Sequence, residues 1–494
     1  MAKSLNILFA ASEAFPFAKE TGVGDVTSAF ALAMRELKHD IRIMIPKYGC
    51  ISGRKNKIHD INRLKDIPIQ IGAGQPELLT TKSASLANSR LKVQIYVATN
   101  EKYFESRKGI YHDPVKWTEY PDNLERFIFF SRSVLETCVM LGWYPDIIHC
   151  NDWHSALIPA YIKYLYPNKF KKTRTVLTIH NVTSQGEFPI SNFKLLGLPD
   201  AAKDSFTHKR SLNILKGGMI YANHLTTVSE SYLQQLIKDK ELTNGLNTLI
   251  KQDIDKIKGI RNGIDTTIWN PKTDDSIPQK HENSFSTYKT RNKIALCGSC
   301  GLQYKKDVPT IGMITRISEQ KGIDVVIDAI EDLMKLDIQL VILGQGDAEM
   351  KEQLLKYQQQ YSNKMSVVFA FAESLAHLVE AGSDMFLMPS RQEGCGLNML
   401  YSLAYGAVPI VNLTGGLKDI AIPFNKKVDN KTNSFAIKEL SPSGIIEAVE
   451  QALVVFRDAK SWRRIVENGM SEDYSWRESA VKYSEIYRKI LREE

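Results

Sequence analysis

Short apolar runs recur along the chain, and nearly every one hands over to a stretch with helical spacing. "LNILFAAS" (5–12) leads into "GDVTSAFALAMRELKHD", where Val26, Ala29, Phe30, Ala33 and Leu37 fall on one helical face. "IRIMIP" (41–46) follows as a β-rich run with few polar interruptions, as a strand covered on both sides requires. "DIIHC" (146–150), "TVLTIH" (175–180) and "HLTTVS" (224–229) repeat the theme, each with a helical pattern after it. Such alternation points to the α/β class, with helices wound over both faces of a parallel sheet.

The pattern then restarts. "TIGMITR" (310–316) reads as a strand, and in "GIDVVIDAIEDLMKL" Ile323, Val326, Ile327, Ile330 and Leu333 share a face. "IQLVILGQG" (338–346), "DMFLMPS" (384–390) and "AVPIVN" (407–412) add further strands. Between the halves, residues 271–292 are polar, proline-flanked and poor in aliphatics, and read as a link between lobes. In the closing "YSEIYRKILREE", Tyr483, Ile486, Tyr487, Ile490 and Leu491 form one stripe, so this helix is expected to dock rather than trail free. A chain of 494 residues suits two domains. The expectation is two Rossmann-like doubly wound domains, residues 1–265 and 266–476, with a terminal helix over 477–494.

Composition narrows the function classes. Hydrophobic residues make up 43% and charged residues 24%, enough apolar material for a real core. The net charge of +8 is modest, the lysines are scattered, and no basic block marks a nucleic-acid partner. Six cysteines are too sparse for a disulfide framework, so a reducing cytoplasm is the expected location. Cys297-Gly-Ser-Cys300 lacks a second pair or a histidine cluster, and reads as small residues in a packed helix rather than a metal or redox site. No apolar run approaches the ~20 residues needed to cross a bilayer, and no membrane partner is expected. Asn6 and Glu13 interrupt the first apolar stretch, which favours a buried strand over a secretory leader.

Open parallel sheets bind ligands outside the carboxyl ends of their strands. Lys19, Gly22, Gly24 and Asp25 follow the first strand, Asp152 and His154 follow "DIIHC", and His180 and Asn181 close "TVLTIH". In the second half, Arg316 and Lys321 follow "TIGMIT", Glu393 follows "MFLMPS", and Thr414-Gly415-Gly416 follows "AVPIVN". Two sheets turning these edges toward each other would make one cleft. Arg316 and Lys321 read either as solvated surface cations or as a clamp on an oxyanion that gains charge during reaction. Glycines at helix starts let backbone amides approach an anion, and "TGGL" (414–417) fits this better than "GQGD" (344–347), which also reads as a plain βα turn. Glu393 is either a solvated cap or an acceptor for two sugar hydroxyls. Asp152 is either a helix cap or functional, and His180 either a satisfied core histidine or functional. Asp253-Ile-Asp255 follows no clear strand, so it reads as solvated polar residues rather than a metal-binding D-x-D.

Taken together these segments resemble the bacterial glycogen synthase and plant starch synthase family, retaining glycosyltransferases of the GT-B fold. "NDWHSALIPAYI", "TIHNVTSQGEFP", "LKGGMIYANHLTTVS", "RNGIDTTIWNP", "TRISEQKGID", "MPSRQEGCGL", "YGAVPIV", "TGGLKD" and "DYSW" fall in the family's order and spacing, from about residue 5 to residue 491. The resemblance implies transfer of glucose from a nucleotide sugar, usually ADP-glucose, to the non-reducing 4-hydroxyl of an α-1,4-glucan, with retention and without a metal or other cofactor. It implies that Asp152 and His180 lie at the sugar and acceptor side, with Asp25, His154 and Asn181 nearby. Arg316 and Lys321 would neutralise the leaving diphosphate and Glu393 would hold glucose hydroxyls. Lys19, Gly22, Gly24, Asn262, Cys395, Gly396, Leu397, Thr414, Gly415 and Gly416 would line the donor. The final helix would return to the N-terminal lobe.

Three departures stand out. The family's Lys-x-Gly-Gly loop has Thr21 for its first glycine, after Glu20, so a positive φ there would strain the chain and Glu20 would set negative charge near a diphosphate. Ser184 replaces a usual tyrosine, and "NKTNSFAI" (430–437) lacks a Gly-x-Gly-Phe pattern. Two other readings follow: a glucan-binding relative impaired in turnover, and a retaining GT-B transferase that uses UDP-glucose. A phosphorylase would need a pyridoxal-phosphate lysine in its own context, and none is found.

Overall fold

The structure is a computed structural model that describes residues 3–87, 91–282, 284–370, 372–427, 429 and 431–493. It divides into two compact units, one of residues 1–263 with 476–494, the other of residues 264–475.

In the first unit the strands, in chain order, are β1 (Asn6–Ala10), β2 (Asp40–Pro46), β3 (His59–Asp60), β4 (Ile67–Ile69), β5 (Glu77–Ala87), β6 (Lys92–Thr99) and β7 (Ile147–Asn151). They continue with β8 (Arg174–Ile179), β9 (Glu187–Pro189), β10 (Thr207–His208), β11 (Ser211–Asn213), β12 (His224–Thr227) and β13 (Ile257–Gly259). The main sheet runs β13-β12-β8-β7-β1-β2-β6-β5-β3, with β4 on β5. From β13 to β6 every pairing is parallel. Beyond β6 the parallel run gives way to an antiparallel margin that the sequence reading did not include: β5 runs antiparallel to β6, and β3 and β4 antiparallel to β5. In "ELLTTKSASLA" burial shifts from Leu79 and Thr81 to Ala84 and Leu86, with accessible residues between them, unlike the continuously buried runs of the parallel strands β7 and β8.

The second unit has β14 (Thr310–Ile314), β15 (Gln339–Leu343), β16 (Met365–Val368), β17 (Met385–Met388), β18 (Val408–Asn412) and β19 (Phe435–Ile437). All pair in parallel, in the order β16-β15-β14-β17-β18-β19. In both sheets the order reverses beside the first strand: β1 lies between β2 and β7, and β14 between β15 and β17. A crevice opens at such a switch point because the helices on either side leave in opposite directions.

The helix after β1 (Gly22–Glu36) buries Val26, Ala29, Phe30 and Ala33, and Leu37 closes it half-exposed. In the second unit Ile323, Val326, Ile327, Ile330 and Leu333 all join the core against β14 and β15. The last helix, Arg477–Ile490, belongs to the first unit. Tyr487 OH meets His149 Nδ1 at 2.5 Å, Ser484 Oγ meets His39 Nε2 at 2.9 Å, and Tyr483 packs edge-on against Phe30.

Residues 271–292 are not a free link. A helix begins at Phe285, and Asp274 is buried, taking Tyr405 OH at 2.6 Å and His377 Nδ1 at 2.7 Å. The charged aspartate there is a paired interior group, which composition alone cannot distinguish from a solvated one. Asn283 lies outside the described residues, as does Asn430 of the "NKTNSFAI" stretch. Cys297 is buried in the helix Phe285–Ser299, and all six cysteines are free thiols. No helix among the described residues is long and apolar enough to cross a membrane.

Candidate active site

In the first unit the turn after β1 is built on hydrogen bonds rather than on strain. Thr21 has φ −129°, an extended backbone, so the positive φ that a glycine replacement suggested does not arise. Thr21 is the N-cap of the helix Gly22–Glu36: its Oγ1 accepts from Val23 N at 3.1 Å and donates to Glu13 Oε1 at 2.8 Å. Gly22 and Gly24 lie inside that helix, and a Cβ on Gly24 would press the Lys19 stem at 3.2 Å. Lys19 pairs with Asp25 at 2.9 Å, and Asp25 sits in the first turn, where a carboxylate suits the helix dipole. The Glu20 carboxylate turns to residues 110–112, meeting His112 Nδ1 at 2.8 Å. Burial pushes the Glu13 acid up to about 7, against the pull of the amides it accepts from.

At the neighbouring end of β7, Asn151 takes the N-cap position and Asp152 adopts φ +51°. Asp152 is therefore not the cap of the helix it opens. Its Oδ1 accepts from His180 N at 2.8 Å and Asn181 N at 3.3 Å, fastening the end of β8 to the end of β7. The His180 ring is held by Asn151 Oδ1 at 2.9 Å from Nε2, and its surroundings lower it to about 4, so it is neutral at ordinary pH. Asn181 folds its side chain onto Thr183 in an Asx turn. His154 packs among Tyr111, Phe127 and Trp153, in an aromatic group that burial keeps uncharged. Trp153 Nε1 reaches Ser184 Oγ at 3.1 Å, so the serine that stands for a tyrosine is engaged. Asn262 is buried beyond β13, apart from the hydrogen bonds just described.

Burial also raises the Asp152 acid to about 7, from an ordinary value of 3.8. The folded chain then holds that proton more tightly than the unfolded chain, so this group contributes stability below about pH 4 that is lost as pH rises to about 7. Asp152→Asn keeps an oxygen for the His180 amide, and asparagine tolerates the left-handed backbone. Urea midpoints from pH 4 to 8 should show the variant gaining on the parent by on the order of 1 kcal/mol per pH unit inside that window. A constant gap would show that this carboxyl titrates alike in both states.

In the second unit three loops are laced together. Arg391 N and Gln392 N bond to Gln320 O, Gly416 N donates to Glu393 O at 3.0 Å, and Thr414 Oγ1 donates to Arg391 O at 3.1 Å. Asn398 Nδ2 donates to Ile314 O, anchoring the helix Leu397–Ala404 to the end of β14. This lacing brings Lys321 Nζ to 2.6 Å from Glu393 Oε2, and Ser390 Oγ adds a 3.3 Å contact to the same oxygen. Glu393 is therefore an ion-paired group and not a helix cap; the cap position falls to Gly396 at φ +88°. Arg316 behaves differently from Lys321. It is exposed, and its guanidinium makes no ion pair or hydrogen bond among the described residues. Cys395, Gly396 and Thr414 are buried, while Glu393 and Leu397 are partly exposed. Gly415 has φ +46°, and Gly416 opens the short helix Leu417–Ile420. In "GQGD", Gly344 and Gly346 press on Thr315 and Ile317, while Asp347 caps the next helix. That stretch supports the Arg316 loop from below.

Sequence reasoning missed Glu13, Tyr111, Asn151, Ser390 and Asn398. Of these only Asn151 had a legible signal, a polar residue closing an apolar strand. Among the described residues, no group of three or more His, Cys, Asp and Glu side chains could hold a metal ion.

Comparison with known proteins identifies the family. Residues 6–252 match the starch synthase catalytic domain, and residues 302–470 match glycosyl transferases group 1. The glycogen synthase of Nitrosomonas eutropha is 35% identical over 99% of this chain and 97% of its own length. That of Syntrophotalea carbinolica is 36% identical over 99% of both chains. Among solved structures, the catalytic domain of starch synthase IV from Arabidopsis thaliana bound to ADP and acarbose superposes with a TM-score of 0.90. It is 29% identical and is matched over 99% of this chain and 100% of that one. The two parallel-sheet units are thus those of the GT-B fold, and the chain belongs to the glycogen and starch synthase family of glycosyltransferases.

Proposed function

We propose that this glucosyltransferase moves glucose from ADP-glucose to the non-reducing 4-hydroxyl of an α-1,4-glucan with retention of configuration. The observation that carries the reading is the Lys321–Glu393 contact of 2.6 Å, held by the loops laced through Gln320, Arg391, Glu393 and the Thr414–Gly416 turn. Glu393 accepts from glucose hydroxyls while its partner Lys321, with Arg316, meets the charge that collects on the departing diphosphate. Gly396, Leu397, Thr414, Gly415 and Gly416 shape the donor surface, and the buried Cys395 supports it. From the first unit Lys19 and the Gly22 helix start add cationic and amide character for the phosphates, with Gly24 and Asp25 fixing Lys19 and Asn262 supporting the donor side. Asp152 and Asn181 shape the acceptor side, His154 backs it, and the neutral His180 ring exchanges hydrogen bonds with sugar hydroxyls without introducing charge.

The C1–oxygen bond to the diphosphate breaks with its electron pair going to phosphate. The acceptor O4 bonds C1 on the same face, and its proton passes to the departing phosphate oxygen. Catalysis is then positioning and electrostatics, without a covalent enzyme intermediate. The structure of the Arabidopsis thaliana relative with ADP and acarbose supports the donor nucleotide. The test is a donor screen with radiolabelled ADP-glucose and UDP-glucose on glycogen. Transfer from ADP-glucose is expected, with Arg316→Ala lowering kcat by about 10²-fold and leaving the KM for glycogen unchanged. Glycogen binding without transfer from either donor would sink the proposal and leave a glucan-binding relative; transfer from UDP-glucose alone would reassign the donor.

A further inference from the structure

Glu13 takes no part in the chemistry above, yet it is fully buried and four donors converge on it. Oε2 accepts from Glu20 N at 2.6 Å and Thr21 N at 2.8 Å. Oε1 accepts from Thr21 Oγ1 at 2.8 Å and Tyr111 OH at 2.6 Å. Glu20 reaches the opposite way, accepting from Ile110 N at 3.3 Å and Tyr111 N at 3.5 Å. Two glutamates thereby close the turn after β1 and the segment around Tyr111 into one hydrogen-bonded ring.

The ring decides which amides of the turn can serve a ligand. Glu13 occupies those of Glu20 and Thr21, while Thr21 Oγ1 takes Val23 N and Thr21 O takes Gly24 N. Among the described residues, the Gly22 amide, three residues after Lys19, makes no hydrogen bond.

We propose that Glu13 is a positioning residue for the donor: it fixes the turn so that the Gly22 amide and the Lys19 ammonium are presented together to an anionic group. This rests on the ADP-glucose reading. Without the carboxylate, two backbone N–H groups and two hydroxyls lose their acceptor and the turn no longer has one defined shape. The effect falls on donor binding, because the ring contains no residue assigned to the acceptor.

Steady-state kinetics with ADP-glucose and glycogen varied separately test this. Glu13→Ala is expected to raise the KM for ADP-glucose about tenfold, the scale of one lost charge-assisted hydrogen bond, with the KM for glycogen unchanged. Glu13→Gln should recover most of the loss, since its oxygen still accepts the two amides and its NH₂ donates to the hydroxyls. Tyr111→Phe removes a single donor and should shift the donor KM about twofold in the same direction; it carries the test if Glu13→Ala does not fold. An unchanged donor KM in these variants, or equal shifts in both KM values, overturns the proposal while the glucosyltransferase reading stands. Failure of the parent protein to use ADP-glucose overturns both.

Discussion

Lys321→Ala is expected to lower kcat for glucosyl transfer by about 10²- to 10³-fold, the cost of removing one preorganised donor from the group proposed to receive charge. Lys321 is one-fifth exposed and its Glu393 partner one-seventh, so water screens the pair weakly compared with a surface ion pair. Two consequences follow from a contact of 2.6 Å. In the proposed mechanism the cation would meet the charge on the leaving diphosphate, and its contact also aims the Glu393 carboxylate at sugar hydroxyls. Glu393→Gln should therefore lose activity on the same scale, because an amide is a weaker acceptor and leaves Lys321 without its counter-charge. The two residues act as a unit, so the double variant should fall well short of the product of the single losses. Transfer rates near the parent value in either single variant would remove the pair from the mechanism.

Much of this arrangement was legible because the candidate residues track strand ends. Alternating strand and helix patterns located both sheets, and the candidate residues do lie after β1, β7, β8, β14, β17 and β18. What sequence could not supply were partners far apart in the chain. Tyr111 and Glu13 are 98 residues apart, and neither residue alone looks functional. The Thr21 departure misled for a related reason. A threonine where relatives have glycine suggests strain, but Glu13 makes an extended N-cap the favourable backbone instead. The polar 271–292 stretch misled because a buried aspartate paired to a histidine has the same composition as a solvated link. The edge of the first sheet was missed because β5 pairs in the opposite sense from its neighbours, which a parallel expectation excludes.

Gly322→Ala tests whether the geometry around Lys321 is set by backbone contact. Gly322 follows Lys321, opens the helix Ile323–Leu333 and has φ +71°, a region that costs an L side chain about 1–2 kcal/mol. A Cβ there would lie 2.1 Å from Pro389 O, a backbone atom with no flexible end to move aside. Together these predict a loss of several kcal/mol, on the order of 3–5, placing the change among the exceptional single substitutions. The displaced strand end carries Ser390, Arg391 and Glu393, so relief of the clash separates Glu393 from Lys321. Activity should fall further than stability explains: at a temperature where the variant is folded, kcat should still be reduced at least tenfold, about 1.4 kcal/mol in barrier. Gly298→Ala is the control, because nothing lies within 4 Å of its added Cβ and it sits in the helix Phe285–Ser299. That change should stabilise by up to about 1 kcal/mol and leave kcat unaltered. Equal urea midpoints for the two variants would show that the Lys321 loop yields to a methyl group, and that its contact with Glu393 is not enforced by the packing of Gly322 on Pro389.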